Sequence, residues 1–209
     1  MMRIDSLNNA PDRAGRYAVH FSDGSVMRVY RQTMEDFGLY IGMELSDEQL
    51  IALRKASGEM SAKMRAVRIV AAGSVSKRDL ERRLIQKGET STDAKTAVSW
   101  LADLDIVDDR KTAEQVVQRC ISKGYGLARA KKALYEKQIP TKYWDKALEA
   151  YPDQLDVIIA FLTQRVNDTS NRTEVKKAID ALLRKGHNYG TICQGMRQLM
   201  LDTEEFPED

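Results

Sequence analysis

Leu84-Ile85-Gln86-Lys87-Gly88, Leu134-Tyr135-Glu136-Lys137-Gln138 and Leu182-Leu183-Arg184-Lys185-Gly186 are three versions of one helix ending. They recur with a period of about 49 residues, the size of a stacked supersecondary unit. Working outward in that register, Leu80, Ala130 and Ala178 coincide upstream. Downstream, Ala94 falls with Trp144 and Ile192, Ala97 with Ala147 and Gly195, Val98 with Leu148 and Met196, and Leu101 with Tyr151 and Leu199. Every set is small or apolar, and successive sets lie three or four residues apart, the spacing of one helical face.

Each copy therefore reads as three helices, at about 61–72, 76–87 and 92–104 in the first. Ser76 and Thr173 are expected to cap the central helices of the first and third copies, and Thr141, after Pro140, to open the last helix of the second. A unit of this size cannot bury its apolar face alone, so the copies should stack on their neighbours. The fold class expected is mainly α: three tandem three-helix repeats in an elongated array, preceded by a small N-terminal element with a β hairpin.

Ahead of the repeats, Arg16 to Phe21 and Val26 to Arg31 alternate in character around Ser22-Asp23-Gly24-Ser25, where Asp-Gly supplies a tight hairpin turn. Ser46-Asp47-Glu48-Gln49 reads as a capping box that opens a helix through Leu50 and Leu53, expected to stop near Gly58. The expected organisation is an N-terminal element over 1–60, repeats over 61–108, 109–153 and 154–201, and an acidic tail over 202–209.

Hydrophobic residues make up 43% of the chain and charged residues 31%, enough for cores under an ionised surface. The net charge of +2 argues for no partner, but its distribution does. Lys123, Arg129, Lys131, Lys132, Lys137, Lys142 and Lys146 crowd one segment against Glu136 and Asp145 only, while the chain ends on Asp202, Glu204, Glu205, Glu208 and Asp209. No apolar run reaches signal-peptide or membrane-spanning length, so the expected place is the cytoplasm.

Catalysis lacks a constellation. His20 lies in a strand and His187 follows a helix, neither with a paired motif, and Gly124 and Gly126 do not follow a strand as a phosphate loop requires. Cys120 shares a stripe with Ala113, Val116 and Val117 and reads as a small buried hydrophobe. Trp100 and Trp144 read as core, and Asp108-Asp109 as a helix cap, not a metal site. No enzyme activity, metal or cofactor is expected.

The feature that repeats with the copies is positive charge. With Leu80 and Leu84 inward, Arg78 and Arg82 fall on the opposite helix face. The register sets Lys176 level with Arg78, Lys132 level with Arg82, and Arg129 with Lys177. Stacked, such helices would present a positive track suited to a phosphate backbone or an acidic protein surface.

Four of these stretches together resemble the RecX family of regulators of the bacterial RecA recombinase. They are SKRDLERRLIQKG from Ser76 to Gly88, DIVDDRKTA from Asp105 to Ala113, GYGLARAKKALYEKQ from Gly124 to Gln138, and LLRKG from Leu182 to Gly186. The similarity spans about residues 60–200, and the N-terminal hairpin also resembles some Gram-positive members. Gln138 departs from a usual glycine, His187 from a frequent aromatic, and the linker Asn167 to Arg172 is longer than the earlier turns.

The resemblance implies a non-enzymatic monomer that binds the RecA filament on single-stranded DNA, and DNA itself, in DNA repair and the SOS response. It would modulate strand exchange, ATP hydrolysis and filament lifetime, with inhibition the expected sign. The candidate RecA- or DNA-binding residues are Arg78, Arg82, Arg83, Lys87, Arg129, Lys132, Lys137, Lys176, Lys177, Arg184 and Lys185. Two other readings fit the repeats: a sequence-tolerant nucleic-acid-binding protein without a RecA partner, and a helix-turn-helix transcription factor. The first predicts the same DNA affinity with and without RecA, the second a preference for one duplex sequence.

An elongated array predicts a radius of gyration well above the roughly 17 Å of a compact chain of this length. Small-angle scattering checks this, and a value near the compact figure removes the array.

Overall fold

The computed structural model describes residues 1–204, with side chains through residue 200. The described residues divide into two compact units, Met1–Val107 and the chain from Asp108 onward.

Unit 1 opens with a four-stranded antiparallel sheet of order β3-β2-β1-β4, made of β1 (Met2–Leu7), β2 (Arg16–Phe21), β3 (Val26–Tyr30) and β4 (Glu44–Leu45). The expected hairpin is β2-β3, paired from Arg16↔Tyr30 to His20↔Val26. Gly24 takes φ +82° in its turn, a backbone angle that glycine adopts without Cβ strain. The strands β1 and β4 and the short helix α1 (Arg31–Asp36) carried no clear pattern in the sequence and are additions to the expected element.

Helix α2 corrects the expected stop near Gly58. It runs unbroken from Asp47 to Ala71, through the junction drawn between the N-terminal element and the first repeat. The capping box at its start is as expected, with Ser46 accepting from the Gln49 amide at 3.2 Å and the Ser46 amide donating to Gln49 Oε1 at 2.9 Å. Gly58 ends nothing. A Cβ there would sit 2.8 Å from a carboxylate oxygen of Asp93, so the missing side chain makes room for the start of the repeat's last helix.

Because α2 is continuous, it serves two cores. Leu53 packs with Ile4, Val19, Phe21, Val29 and Leu45 against the sheet. Ala62 and Ala66, further along the helix, pack with Leu80, Leu84, Ala94, Ala97 and Leu101, from α3 (Lys77–Gln86) and α4 (Ser91–Asp103). Each fully buried leucine contributes about 1.5–3 kcal/mol by leaving water.

Unit 2 holds α5 (Asp109–Ser122), α6 (Leu127–Glu136), a 3-10 turn (Thr141–Tyr143) running into α7 (Trp144–Leu148), then α8 (Gln154–Arg165), α9 (Arg172–Lys185) and α10 (Tyr189–Glu204). Asp108 caps α5 by accepting from the Arg110 and Lys111 amides. Ser76 caps α3 as expected, but the cap of α9 is Asn171, not Thr173. An asparagine two residues upstream offers its side-chain oxygen to the free amides, and the chain starts the helix there. Thr141 opens a 3-10 turn with no side-chain cap. Trp144 packs on the second core and donates its indole N–H to the Ile139 carbonyl at 3.0 Å. Cys120 is buried. The acidic tail overlaps α10 as far as Glu204, and residues 205–209 lie outside the described residues.

The three central helices end alike. Gly88, Gln138 and Gly186 hold φ of +92°, +53° and +86°. The next amide reaches back to the repeated leucine in each copy, Glu89 to Leu84, Ile139 to Leu134 and His187 to Leu182, every time at 3.1 Å. This is a Schellman ending, and it satisfies carbonyls that the helix leaves open. Gln138 makes the same turn with a side chain, which costs about 1–2 kcal/mol in this backbone region.

In unit 2 the second and third copies meet through glycines. The Gly126 amide donates to the Lys185 carbonyl at 2.9 Å. A Cβ on Gly126 would collide with the Gly186 carbonyl, and one on Gly186 would lie 2.7 Å from Arg129 Cβ and 2.9 Å from its backbone nitrogen. Gly126→Ala and Gly186→Ala are each expected to lower stability by about 2–3 kcal/mol, because backbone must move. Urea unfolding measures this; a loss below about 0.5 kcal/mol in both would show that the copies separate freely.

Candidate functional site

The candidate cations lie on α3 in unit 1 and on α6 and α9 in unit 2, and the structure sorts them by what holds them. Leu80 and Leu84 are fully buried, and Arg78 is exposed to solvent. Arg82 and Arg83 do not stand free. Asp79, with a side chain 1% exposed, receives the Arg82 Nη2 at 2.6 Å on one oxygen, while Arg83 Nη2 lies 2.9 Å from the other, out of line for a hydrogen bond. A buried carboxylate that loses its cations is left uncompensated at a cost of several kcal/mol. Arg82 and Arg83 therefore stabilise α3 whatever else they touch.

Arg129 and Lys185 are also committed. Arg129 lies over the Tyr125 ring, 4.2 Å from its centre, and donates to the Arg184 carbonyl at 3.0 Å. Lys185 donates to the Lys123 carbonyl at 3.2 Å and sits 5.4 Å from the centre of the Phe161 ring. Both fasten the loop before α6 to the end of α9. Lys132 makes a loose, exposed pair with Glu136 at 3.8 Å, which contributes little. Lys137 is half-buried just past the end of α6. Arg78, Lys87, Lys176, Lys177 and Arg184 are exposed without an ion pair among the described residues. These five hold charge that is available to a partner.

A second recurring feature escaped the reading of the sequence. Ile85, Tyr135 and Leu183 occupy one register position, directly after the buried leucine, and are 43%, 75% and 42% exposed. Isolated exposed hydrophobes are ordinary. One per copy, beside the cations Lys87, Lys137 and Arg184, is a pattern. The signal was present in the alignment of helix endings, where this column is apolar although it faces outward.

Among the described residues no group of three or more His, Cys, Asp and Glu is placed to hold a metal, and no helix is long and apolar enough to cross a membrane. His187 is buried and faces the Gly124 carbonyl with Nε2 at 3.3 Å, while its Nδ1 finds no partner among the described residues. It sits in the joint between the second and third copies.

The described residues thus define an α-helical repeat protein whose first repeat is fused to a small sheet. Among solved structures this fold is that of regulatory protein RecX. The chain aligns with a crystal structure of that protein with a TM-score of 0.62 at 20% identity, over 91% of this chain and 97% of that one. It aligns with RecX from Lactobacillus salivarius with a TM-score of 0.60 at 22% identity, over 70% of this chain and 99% of that one. No protein-family model and no curated protein matches the sequence.

Burial first, and the charge of Lys185 second, push the His187 pKa below its ordinary value, against the Gly124 carbonyl, which pulls it up. The sign follows from proton uptake. As pH falls through 6.5 the unfolded chain protonates this histidine and the folded chain does not until its lower pKa is reached, so stability drops across that window. Between about pH 7.5 and 5.5, His187→Phe is expected to lose less stability than the parent, as read by urea unfolding. Equal losses in the two proteins would place the acid sensitivity elsewhere.

Proposed function

We propose that this chain is a non-catalytic regulator of a RecA-type recombinase, acting in the cytoplasm by binding the recombinase filament on single-stranded DNA and inhibiting its strand exchange and ATP hydrolysis. The observation that carries the reading is the fold shared with regulatory protein RecX over 91% of the chain. The resemblance of the motifs from Ser76 to Gly88 and from Gly124 to Gln138 points the same way.

The surface chemistry supports a mixed partner. Unpaired Arg78, Lys87, Lys176, Lys177 and Arg184 suit phosphates or protein carboxylates. The exposed apolar residues Ile85, Tyr135 and Leu183 suit a protein surface, which a phosphate backbone alone does not supply. The repeats at 61–108, 109–153 and 154–201 are the binding modules in this reading, and Arg82, Arg83, Arg129, Lys132, Lys137 and Lys185 add positive charge to the helix ends that carry the free cations.

Titrating the protein into RecA turning over ATP on single-stranded DNA tests the reading, with a fall in turnover expected. Arg78→Glu, Lys176→Glu and Lys177→Glu combined should keep the melting temperature within a few degrees, since exposed charges contribute under about 1 kcal/mol each. The same variant should require at least about tenfold more protein for the same inhibition, which is the loss expected if even one of the three cations makes a charged hydrogen bond to the partner. No effect of the parent protein on RecA turnover would sink the regulator reading. DNA affinity identical with and without RecA would leave a sequence-tolerant nucleic-acid-binding protein in its place.

A further inference from the structure

Where the sheet meets the first repeat, unit 1 holds a cavity of about 540 Å³ lined by Arg16, Tyr30, Arg65, Arg68, Arg83 and Lys87 with a few small or apolar neighbours. These cations come from β2, α2 and the end of α3, so the hairpin and the repeat build it together. Among the described residues no acidic one lines it.

The cations are held from outside the cavity. Arg65 Nε pairs with Glu89 at 2.7 Å and its Nη1 donates to the Lys87 carbonyl at 3.0 Å. Arg16 is gripped by Asp12, at 3.0 Å through Nε and 2.8 Å through Nη2. The Arg16 amide and guanidinium draw the Asp12 carboxyl down to about 2, so that grip persists at neutral and mildly acidic pH. Arg83 leans on Asp79. Among the described residues Arg68 has only neutral acceptors, the Tyr30 hydroxyl at 2.7 Å and the carbonyls of Met64 at 3.2 Å and Ala14 at 3.5 Å, and Lys87 has no ion pair. Five cations against three carboxylates, none of the three in the wall, leave an excess of positive charge around the space.

Guanidinium groups fixed in orientation before a ligand arrives, on residues that line one cavity and keep N–H groups beyond those already bonded, match the oxygens of a phosphate. We propose that this cavity is a phosphate-binding pocket, formed jointly by Arg16, Arg65, Arg68, Arg83 and Lys87. The phosphate is that of a nucleic-acid backbone or the terminal group of a free nucleotide, and the chemistry of recognition is the same for both. In assigning a ligand to Arg83 and Lys87 the pocket deepens the DNA half of the function proposed above, but its geometry makes no use of RecA.

The test compares the full-length parent with Arg68→Gln and Lys87→Gln. Lys87 is exposed and unpaired, so that variant keeps the fold even if loss of the Arg68–Tyr30 bond weakens the other. Arg110→Gln, an exposed cation outside the cavity, is the control. Two probes are titrated, pyrophosphate followed by calorimetry and a fluorescent oligothymidylate followed by anisotropy across a salt series. Expected is a loss of about tenfold in affinity for Lys87→Gln, the size of one charged hydrogen bond, with the control unchanged. If the source is a DNA backbone, the salt slope also falls by about 0.7 for each phosphate that the variant no longer neutralises. A loss confined to pyrophosphate identifies a free nucleotide as the source. Unchanged binding of both probes by both variants, or an equal loss on Arg110→Gln, overturns the pocket. Failure of the RecA reading is seen separately: pocket binding that survives while RecA turnover is unaffected leaves the pocket standing without that partner.

Discussion

Gly126 meets Gly186 where two helix ends cross, and there is no room for a methyl group on either side. The joint depends on the left-handed turn that ends α9, which leaves the Lys185 carbonyl open to the Gly126 amide. The same turn returns the His187 amide to Leu182, so one backbone arrangement both closes a helix and opens the preceding copy's docking point. Arg129, Lys185 and His187 then gather on the joint because the glycines have brought their backbones within reach. Charge that would look free on a helical wheel is engaged by neighbouring carbonyls.

In unit 1 the corresponding joint is made by a helix instead of glycines. Helix α2 is 25 residues long and lends its first half to the sheet and its second half to the first repeat. The hairpin is therefore anchored on the repeat. Arg68, in the second half of α2, reaches the Tyr30 hydroxyl in β3, and Ser57 reaches the Arg28 carbonyl at 3.1 Å. The alternative, a hairpin on a hinge at Gly58, would let the guanidinium groups of Arg16 and Arg68 move independently. A continuous helix fixes them in one frame.

Periodicity made the repeats legible, because it is set by the core-facing residues and these recur, although Trp144, Leu148 and Tyr151 of the second copy are only partly buried. Leu84, Leu134 and Leu182 are all fully buried, as are Ala94 and Ile192 in another column. The hairpin was legible from alternation and from Asp-Gly in its turn. The strand β1 was not, because only Ile4 of its six residues is buried and a bulge between Ile4 and Ser6 breaks its period. The stop at Gly58 was misread because glycine at a helix end and glycine at a helix crossing look alike in sequence; only the position of Asp93 separates them. At the candidate site the register found the cations but not their partners. Asp79 stands in the column occupied by Arg129 and Lys177, an acid among bases, and the consequence for Arg82 and Arg83 depends on its burial.

That column shows how the copies divide their work. In the first, Asp79 ties down the two arginines that follow, Arg82 and Arg83, leaving Arg78 and Lys87 as free charges at the two ends of α3. In the third, no acid sits in that position, so Lys176 and Lys177 both remain free in the first half of α9, while Lys185 at its end is drawn into the joint. Positive charge toward the start of a helix gains nothing from the helix dipole, whose positive end lies there. Lys176 and Lys177 therefore add nothing to the fold by their position, and Arg78, in the first turn of α3, adds nothing either. Side chains that stabilisation does not explain are the ones whose charge a binding partner can use without unfolding the repeat. The exposed apolar residue that follows each buried leucine belongs to the same class: Ile85, Tyr135 and Leu183 stand outside the clusters of buried residues that form the three cores.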